Sequence, residues 1–382
     1  MKAFKGFNKD LSCRGFKYKK GETYKTDKAE LCQCGFHACV SPLDCFSYYS
    51  PNHSIYYEVE LKDTVANEDS DSKICGKAIT IGEELYIEDI IEYQIDYVRN
   101  NAKDEVKMSE SNYIIEGKSK YSIIDYPDCS KSIVAVTNKS SVAEIYTTCS
   151  VAAATNAFSI ALTKGAHSSA ITTEINSIAS CWNDYSIANC TNMKSMAYTT
   201  ARHSVSVCTD VLSKAVTTEH HSVAACTNLG SNATCECSDS IAACTKGDKA
   251  TTYHSNSIAA NTGYNGVIAL CNGNNSIAAT TQNKTYSTTS GKDSVAVSTG
   301  ISGNAYTKGT NSVAIASGFK GKAKAEIGSA ICLCERGEYD KDTNSYPIKA
   351  IKAAIVDGEI LKANTWYRLE NGEFVEVAEK SD

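Results

Sequence analysis

Serine recurs at every ninth position from Ser150 to Ser240, eleven times in succession, and no other feature of this chain constrains its fold as tightly. Two residues after nearly every one of these serines stands Ala (Ala152, Ala161, Ala170 and onward to Ala242), with Ser206 as the break. Two further on stands Ala, Thr or Cys, as in Ala154, Thr163, Cys181 and Cys244. Small residues alternating with others over five positions describe a short strand with one face held small, and the Asn, Gly, Asp, Lys and His residues that follow supply a bend. Two such strands make a coil of eighteen residues. Followed more loosely from about Ser130 to Ser329, the pattern predicts about eleven stacked coils of a parallel β-solenoid. It slips by one residue between Lys249 and Ser257 and recovers at Ser276, which predicts a bulge or altered turn there.

The chain has eighteen cysteines, but Met1-Lys2-Ala3-Phe4-Lys5-Gly6 carries no apolar export segment, which predicts a protein kept among reduced thiols. Cys190, Cys208, Cys226 and Cys244 lie eighteen apart and should stack as a ladder, with Cys181 and Cys235 on the opposite strand. A small, readily buried residue alternating with Thr and Ala fits a narrow interior. The formal charge of −6 argues against general binding to a phosphate backbone, so nucleic acid is not an expected partner. No apolar stretch is long enough to cross a bilayer, and no membrane partner is expected.

Positions 2 and 4 of each nine-residue unit must face outward. On one strand they are Val205/Val207, Val223/Ala225, Ile241/Ala243, Ile258/Ala260, Ile277/Ala279, Val295/Val297 and Val313/Ile315; on the other they are Lys214/Val216, Asn232/Thr234, Tyr286/Thr288, Asn304/Tyr306 and Lys322/Lys324. One outer face is therefore expected to be apolar and the other mostly polar. An apolar strip of that length calls for a cover, and Val205, Val207, Val223, Ile241, Ile258, Ile277, Val295, Val297, Val313 and Ile315 are the candidate contact residues of a homo-oligomer.

Residues 1–125 lack the repeat. Strands are expected over Ile55–Leu61 and Lys77–Ile81, and Ile87, Ile90, Ile91, Ile95 and Val98 recur at helical spacing. That predicts a small α+β domain followed by a charged connector over Ala102–Tyr121. Residues 126–329 are the solenoid, and 330–382 form a small β domain with Asp357-Gly358 and Asn371-Gly372 as hairpin turns over an aromatic core of Trp366 and Tyr367. The expected fold class is mainly β. In the first domain Cys32, Cys34, His37, Cys39 and Cys45 form a dense thiol and imidazole cluster, but Cys-x-Cys is a cramped first pair for zinc and the usual two-residue spacing is missing. They are expected to be loop and core cysteines, and no metal or cofactor is expected. His203, His220, His221 and His254 fall on turns.

Three resemblances add to this. Asn311-Ser312-Val313-Ala314-Ile315-Ala316 and Asp293-Ser294-Val295-Ala296-Val297 resemble the repeats of trimeric autotransporter adhesin heads, in which three β-rolls pack their apolar faces together; the resemblance implies a trimer. The segments Met1–Leu11, Cys13-Arg14-Gly15-Phe16, Gly35-Phe36-His37-Ala38-Cys39 and Pro42–Tyr49 resemble a family of uncharacterised proteins of phages and prophages, as does Asn364–Phe374, which implies a viral origin and the cytoplasm of a host bacterium. Gly35-Phe36-His37 followed by Ser47-Tyr48-Tyr49 is similar to a segment of ADP-ribosyltransferases, with Lys5-Gly6 where that family carries His-Gly or Arg-Gly and with Glu58 or Glu60 as the counterparts of its late catalytic Glu. The expected function is that of an oligomeric interaction protein that binds a host or viral partner in host takeover or counter-defence, with no catalytic residues assigned. An enzyme carried by the first domain and a virion fibre or decoration component are the alternatives.

Overall fold

The computed structural model describes residues 1–51, 53–66, 72–101, 104–105, 116–117, 122–126, 133–137, 139–263 and 266–378. The repeat folds as a parallel β-solenoid of about eleven turns, and the chain is mainly β. The chain divides into two compact units, Met1–Tyr198 with Cys208–Lys214, and Thr199–Val207 with Ala215–Asp382.

The first unit opens with strands β1 (Lys2–Asn8), β2 (Ser12–Cys13), β3 (Phe16–Lys17), β4 (Thr23–Lys25), β5 (Phe36–Cys39), β6 (Ser54–Ala66) and β7 (Lys73–Leu85), then helix α1 (Ile87–Asn101). The sheet order is β4-β7-β5-β1-β6, and β7 pairs with β6 as well, so four strands close into a ring. Phe7, Leu61, Ile79 and Ile81 fill it, which accounts for the apolar residues of the two long strands. Helix α1 forms where the spacing predicts it and buries Ile90, Ile91, Ile95 and Val98. Its buried Gln94 accepts hydrogen bonds from Ser41 Oγ (2.9 Å) and the Leu43 amide (3.2 Å), which ties the short 3-10 turn Pro42–Ser47 to the helix.

The coils of this unit begin inside the expected connector. Asp104–Glu105 pairs in parallel with Ser122–Tyr126, and Glu116–Gly117 with Ile133–Val136. The rest of that stretch, and the expected start of the repeat at Ser130, lie outside the described residues. On one sheet of these coils positions 2 and 4 are Ile160/Leu162, Ile178/Ser180 and Met196/Tyr198, and all are buried, unlike the polar face read from later repeats. The N-terminal domain supplies polar contacts here: Asn176 Nδ2 donates to Ser47 Oγ (3.2 Å), Lys194 Nζ to the Ser47 carbonyl (2.9 Å), and Tyr198 bonds Glu88. Buried Glu144 is balanced by Lys164 (2.9 Å) and Arg99 (3.3 Å).

In the second unit the strands of one sheet, Val223–Cys226, Ile241–Cys244, Ile258–Asn261, Ile277–Thr280, Val295–Ser298 and Val313–Ala316, stack in register on Ala330–Arg336. Ser, Ala and the Cys/Thr position point inward and are essentially sealed from solvent, as the period predicts. The serine has a further task. Each Ser Oγ accepts the amide of the serine one coil earlier, as from Ser276 to Ser294 (3.1 Å) and Ser294 to Ser312 (3.1 Å), and donates to a turn carbonyl. It thereby pairs an amide at each bend, where the strand ladder has ended. The inner thiols likewise donate across the coil, Cys226 to the Asn232 carbonyl (3.0 Å) and Cys235 to Ile241 (3.1 Å).

The backbone turns left-handed, at φ near +55°, just before the inward serines, as in His203, Asn275, Asp293 and Asn311, and likewise in Lys284 before Thr285 and Lys320 before Gly321. The register slip is taken up by turns and leaves the strands straight. Ile241 pairs with Ile258 and Ile258 with Ile277, a coil of seventeen residues followed by one of nineteen. The shortened turn places Gly247 where a Cβ would sit 2.4 Å from the Ser231 carbonyl. Buried Asn261 holds the altered bend, donating to the carbonyls of Gly247 (3.2 Å) and Ile268 (3.3 Å) and accepting the Gly263 amide (2.8 Å).

The chain ends on strands that reverse direction. Ile348–Ile355 pairs antiparallel with Ala330–Arg336, and Tyr367–Glu370 pairs antiparallel with Lys322–Ala325 and with Glu373–Glu376. Asn371-Gly372 is the expected hairpin turn, with both φ values positive. Asp357-Gly358 is not a hairpin turn: it starts the crossing from one sheet to the other. The Asp357 carboxylate accepts the amides of Glu359 (2.9 Å), Ile360 (2.9 Å) and Leu361 (3.0 Å), which fixes a local loop in place of a two-strand ladder. The face expected to be polar is partly covered here, since Lys324 is buried with its Nζ 4.3 Å from the Tyr306 ring and 4.9 Å from Trp366.

Candidate functional site

Two surfaces carry the chemistry that the fold leaves unused. The first is the apolar strip, and every residue assigned to it from the sequence lies in the second unit. Val205, Val207, Val223, Val295, Val297, Val313 and Ile315 are half-buried, while Ile241, Ile258 and Ile277 are 41%, 38% and 42% exposed. Parallel in-register pairing keeps them in line, Val223 on Ile241, Ile241 on Ile258, Ile277 on Val295 and Val295 on Val313. None of the outward positions 2 and 4 on these strands is charged.

The strip also runs further than the repeat. Val313 pairs with Ala330, which pairs with Ile355, and the antiparallel strand brings Ile351 opposite Cys334. Residues paired across a ladder share a face, so Ile351 (62% exposed) and Ile355 (65% exposed) continue the strip onto the terminal strand. The expectation of a small β domain over 330–382 carried no register, and register is what puts these isoleucines on the same side.

The second surface is a cleft of about 630 Å³ in the N-terminal domain. It gathers residues from separated segments: Lys5 and Gly6 of β1, Cys13, Arg14 and Phe16 of the β2–β3 hairpin, Tyr24 and Lys25 of β4, Gly35 to Cys39 at β5, Tyr48 and Tyr49 after the 3-10 turn, and Lys73 of β7. Lys5, Arg14, Lys25 and Lys73 line it, and no Asp or Glu does among the described residues. Lys5 is 7% exposed, and its Nζ donates to the His37 carbonyl at 2.7 Å. His37 Nε2 accepts the Cys32 amide at 3.0 Å. Burial lowers the His37 pKa, and the neighbouring Lys73, Lys5 and Arg14 push it the same way. Phe16 and Tyr48 are 49% and 48% exposed at the cleft, and Lys73 Nζ sits 4.5 Å from the Tyr48 ring centre.

The cysteine and histidine cluster does not converge. Cys32 is exposed, Cys39 and Cys45 are buried, and the Cys34 carbonyl accepts the Cys75 thiol at 3.0 Å. Among the described residues no group of three or more His, Cys, Asp and Glu side chains is placed to hold a metal ion, and all the cysteines are free thiols. Lys5, Gly6, Gly35, His37, Tyr48 and Tyr49, which carry the transferase-like similarity, do meet around the cleft. Glu58 is not among the residues lining it; it pairs with Lys2 at 2.9 Å and accepts from Tyr93 at 3.2 Å. On the solenoid, His203 and His221 stack ring on ring at 4.9 Å, one coil apart.

Residues 1–93 match a domain of unknown function, DUF7666. The matched segment spans the closed sheet, the cleft and the first half of α1, and it stops before the solenoid begins. Nothing matches the chain among curated proteins or among solved structures. No helix among the described residues is long and apolar enough to cross a membrane.

Proposed function

We propose that this chain is a β-solenoid interaction protein whose copies associate side by side along the strip from Val205 to Ile355 and present their DUF7666 domains together to a partner. The observation that carries this is the uncharged row of Val, Ile and Ala side chains, which extends in register onto the terminal strand. Nine strand levels at about 4.8 Å and a strand width of about 13 Å give a footprint of roughly 500 Å². That is the size of the largest apolar patches on single chains, which are often functional. It falls short of the roughly 800 Å² that each partner contributes to a standard interface, so the polar turns beside it form the rim.

A second copy fits this surface because closed symmetry brings like strips together. Resemblance of the Ser-Val-Ala-Ile units to trimeric adhesin heads favours three copies. Similarity of the N-terminal segments to phage and prophage proteins favours a viral origin, a host-cell cytoplasmic setting and a partner in host takeover or counter-defence. Light scattering on a sizing column tests the association. The expected mass is three times the 41.0 kDa chain, and Val223→Asp with Val295→Asp, both on outward positions, should reduce it to one chain without loss of the β circular-dichroism signal. A wild-type mass of a single chain overturns the proposal. Affinity capture from host cells, by wild type and by the double variant, then tests whether a partner depends on the assembled array.

A further inference from the structure

The cleft of the DUF7666 domain remains unused by association along the solenoid, and its chemistry is specific. The chain as a whole carries a formal charge of −6, yet the described residues that line this cleft include four cationic side chains and no carboxylate. Lys5 is the most telling of them. It is buried, and a buried ammonium group needs hydrogen bonds and a counter-charge. Its Nζ has three donors, of which one is given to the His37 carbonyl, and it lies 5.5 Å from the centre of the Phe7 ring. Among the described residues no Asp or Glu lies within ion-pair distance of it.

The walls supply a second kind of recognition. Phe16, Tyr18 and Tyr24 pack edge to face at 4.8–5.3 Å, which fixes Phe16 at the rim with half of its surface exposed, and Tyr48 is half-exposed as well. Arg14 and Gly15 are the two left-handed residues of the β2–β3 turn, with φ of 51° and 81°. This geometry suits Gly or Asn far better than Arg, so the turn places a guanidinium at the cleft against its own backbone preference. A volume of about 630 Å³ is that of a small-molecule site.

We propose that the cleft binds a nucleotide, with its phosphate held by Lys5, Arg14 and Lys73 and its base stacked on the rings of Phe16 and Tyr48. Arg pairs with phosphate in a planar fork and Lys does so as a point charge, while exposed aromatic rings accept any base.

Isothermal titration of the full chain with AMP, GMP, UMP and ATP, and with adenosine and inorganic phosphate as the separate halves, tests the proposal. At least one nucleotide should bind once per chain, about tenfold or more tighter than either half, with affinity falling as salt is raised. Arg14→Gly, which suits the turn and so cannot fail by unfolding it, and Lys73→Met should each weaken that nucleotide about tenfold or more. Lys62→Met, a charge removed from the same domain outside the cleft, should bind as wild type. The proposal is overturned if no nucleotide exceeds phosphate and adenosine, if Arg14→Gly and Lys73→Met titrate as wild type, or if Lys62→Met weakens binding as much as they do.

Discussion

Replacing Ser294 with alanine removes one oxygen from the sealed interior and should destabilise the solenoid far more than the loss of a hydroxyl elsewhere. Ser294 is 1% exposed; its Oγ accepts the Ser276 amide at 3.1 Å and donates to the Lys292 carbonyl at 2.9 Å. Alanine leaves the Ser276 amide buried without that acceptor, and an orphaned buried donor costs about 1–3 kcal/mol. Ser276 is itself 1% exposed, so water cannot replace the bond at no cost. For a cooperative unit of this size each kcal/mol lowers Tm by about 2–4 °C. Ser290→Ala is the control, because Ser290 lies half-buried in a turn and its amide bonds the Cys271 carbonyl through the backbone alone. Thermal and urea unfolding followed by circular dichroism, with hydrogen exchange read at the Ser276 amide, provides the comparison. Equal stability of the two variants, or an unchanged protection factor at Ser276, would refute the assignment of the serine to amide pairing and reduce it to a small inward residue.

Two further outcomes follow from the interior. Burial pushes the Cys181 and Cys235 thiols up to about 11, and Cys244, hydrogen bonded to Cys226 and buried, is held well above its ordinary value. At pH 8 only about a thousandth of such a thiol at 11 is thiolate, so iodoacetamide should label exposed Cys32 and Cys149 in the folded protein and leave Cys181 and Cys235 untouched; rapid native-state labelling of either would contradict the buried-ladder geometry. Asn261→Thr restores the residue type usual at that position but loses the bonds to Gly247, Ile268 and Gly263, and should cost about 1–3 kcal/mol in urea unfolding. A Thr variant as stable as wild type would mean that the seventeen- and nineteen-residue coils do not depend on this side chain.

The solenoid was legible because its constraint is local and periodic: Ala224, Ala242 and Cys226 must be small wherever the coil closes, and a period of nine shows it. The left-handed corners were legible only where Asn, Asp or His stands, since Phe158, Tyr185, Lys194 and Leu212 occupy others and none of these four favours positive φ. Bonds between neighbouring coils override that preference, as where the Phe158 amide meets the Ile175 carbonyl at 3.1 Å and the Lys194 amide meets Val211 at 3.1 Å. The buried face of the first coils did leave a signal, because Ile160, Ile178 and Met196 stand where later repeats carry Lys214, Asn232 and Lys322. Similarity to a transferase segment already grouped Lys5, His37 and Tyr48, but nothing in the sequence added Arg14 and Lys73, which reach the cleft from the β2–β3 hairpin and from β7.

The strand Ile348–Ile355 also determines what the solenoid offers at that edge of the sheet. A stack of parallel coils is a template that another parallel coil could extend without limit, one molecule upon the next. Here the last rung of that sheet is antiparallel, and Lys349 and Lys352 stand on it among the isoleucines. A backbone running the wrong way, studded with ammonium groups, is a poor seed for another coil. Head-to-tail stacking of a further parallel coil is therefore disfavoured at this end of the sheet, and the proposed association of copies is left to the lateral apolar face.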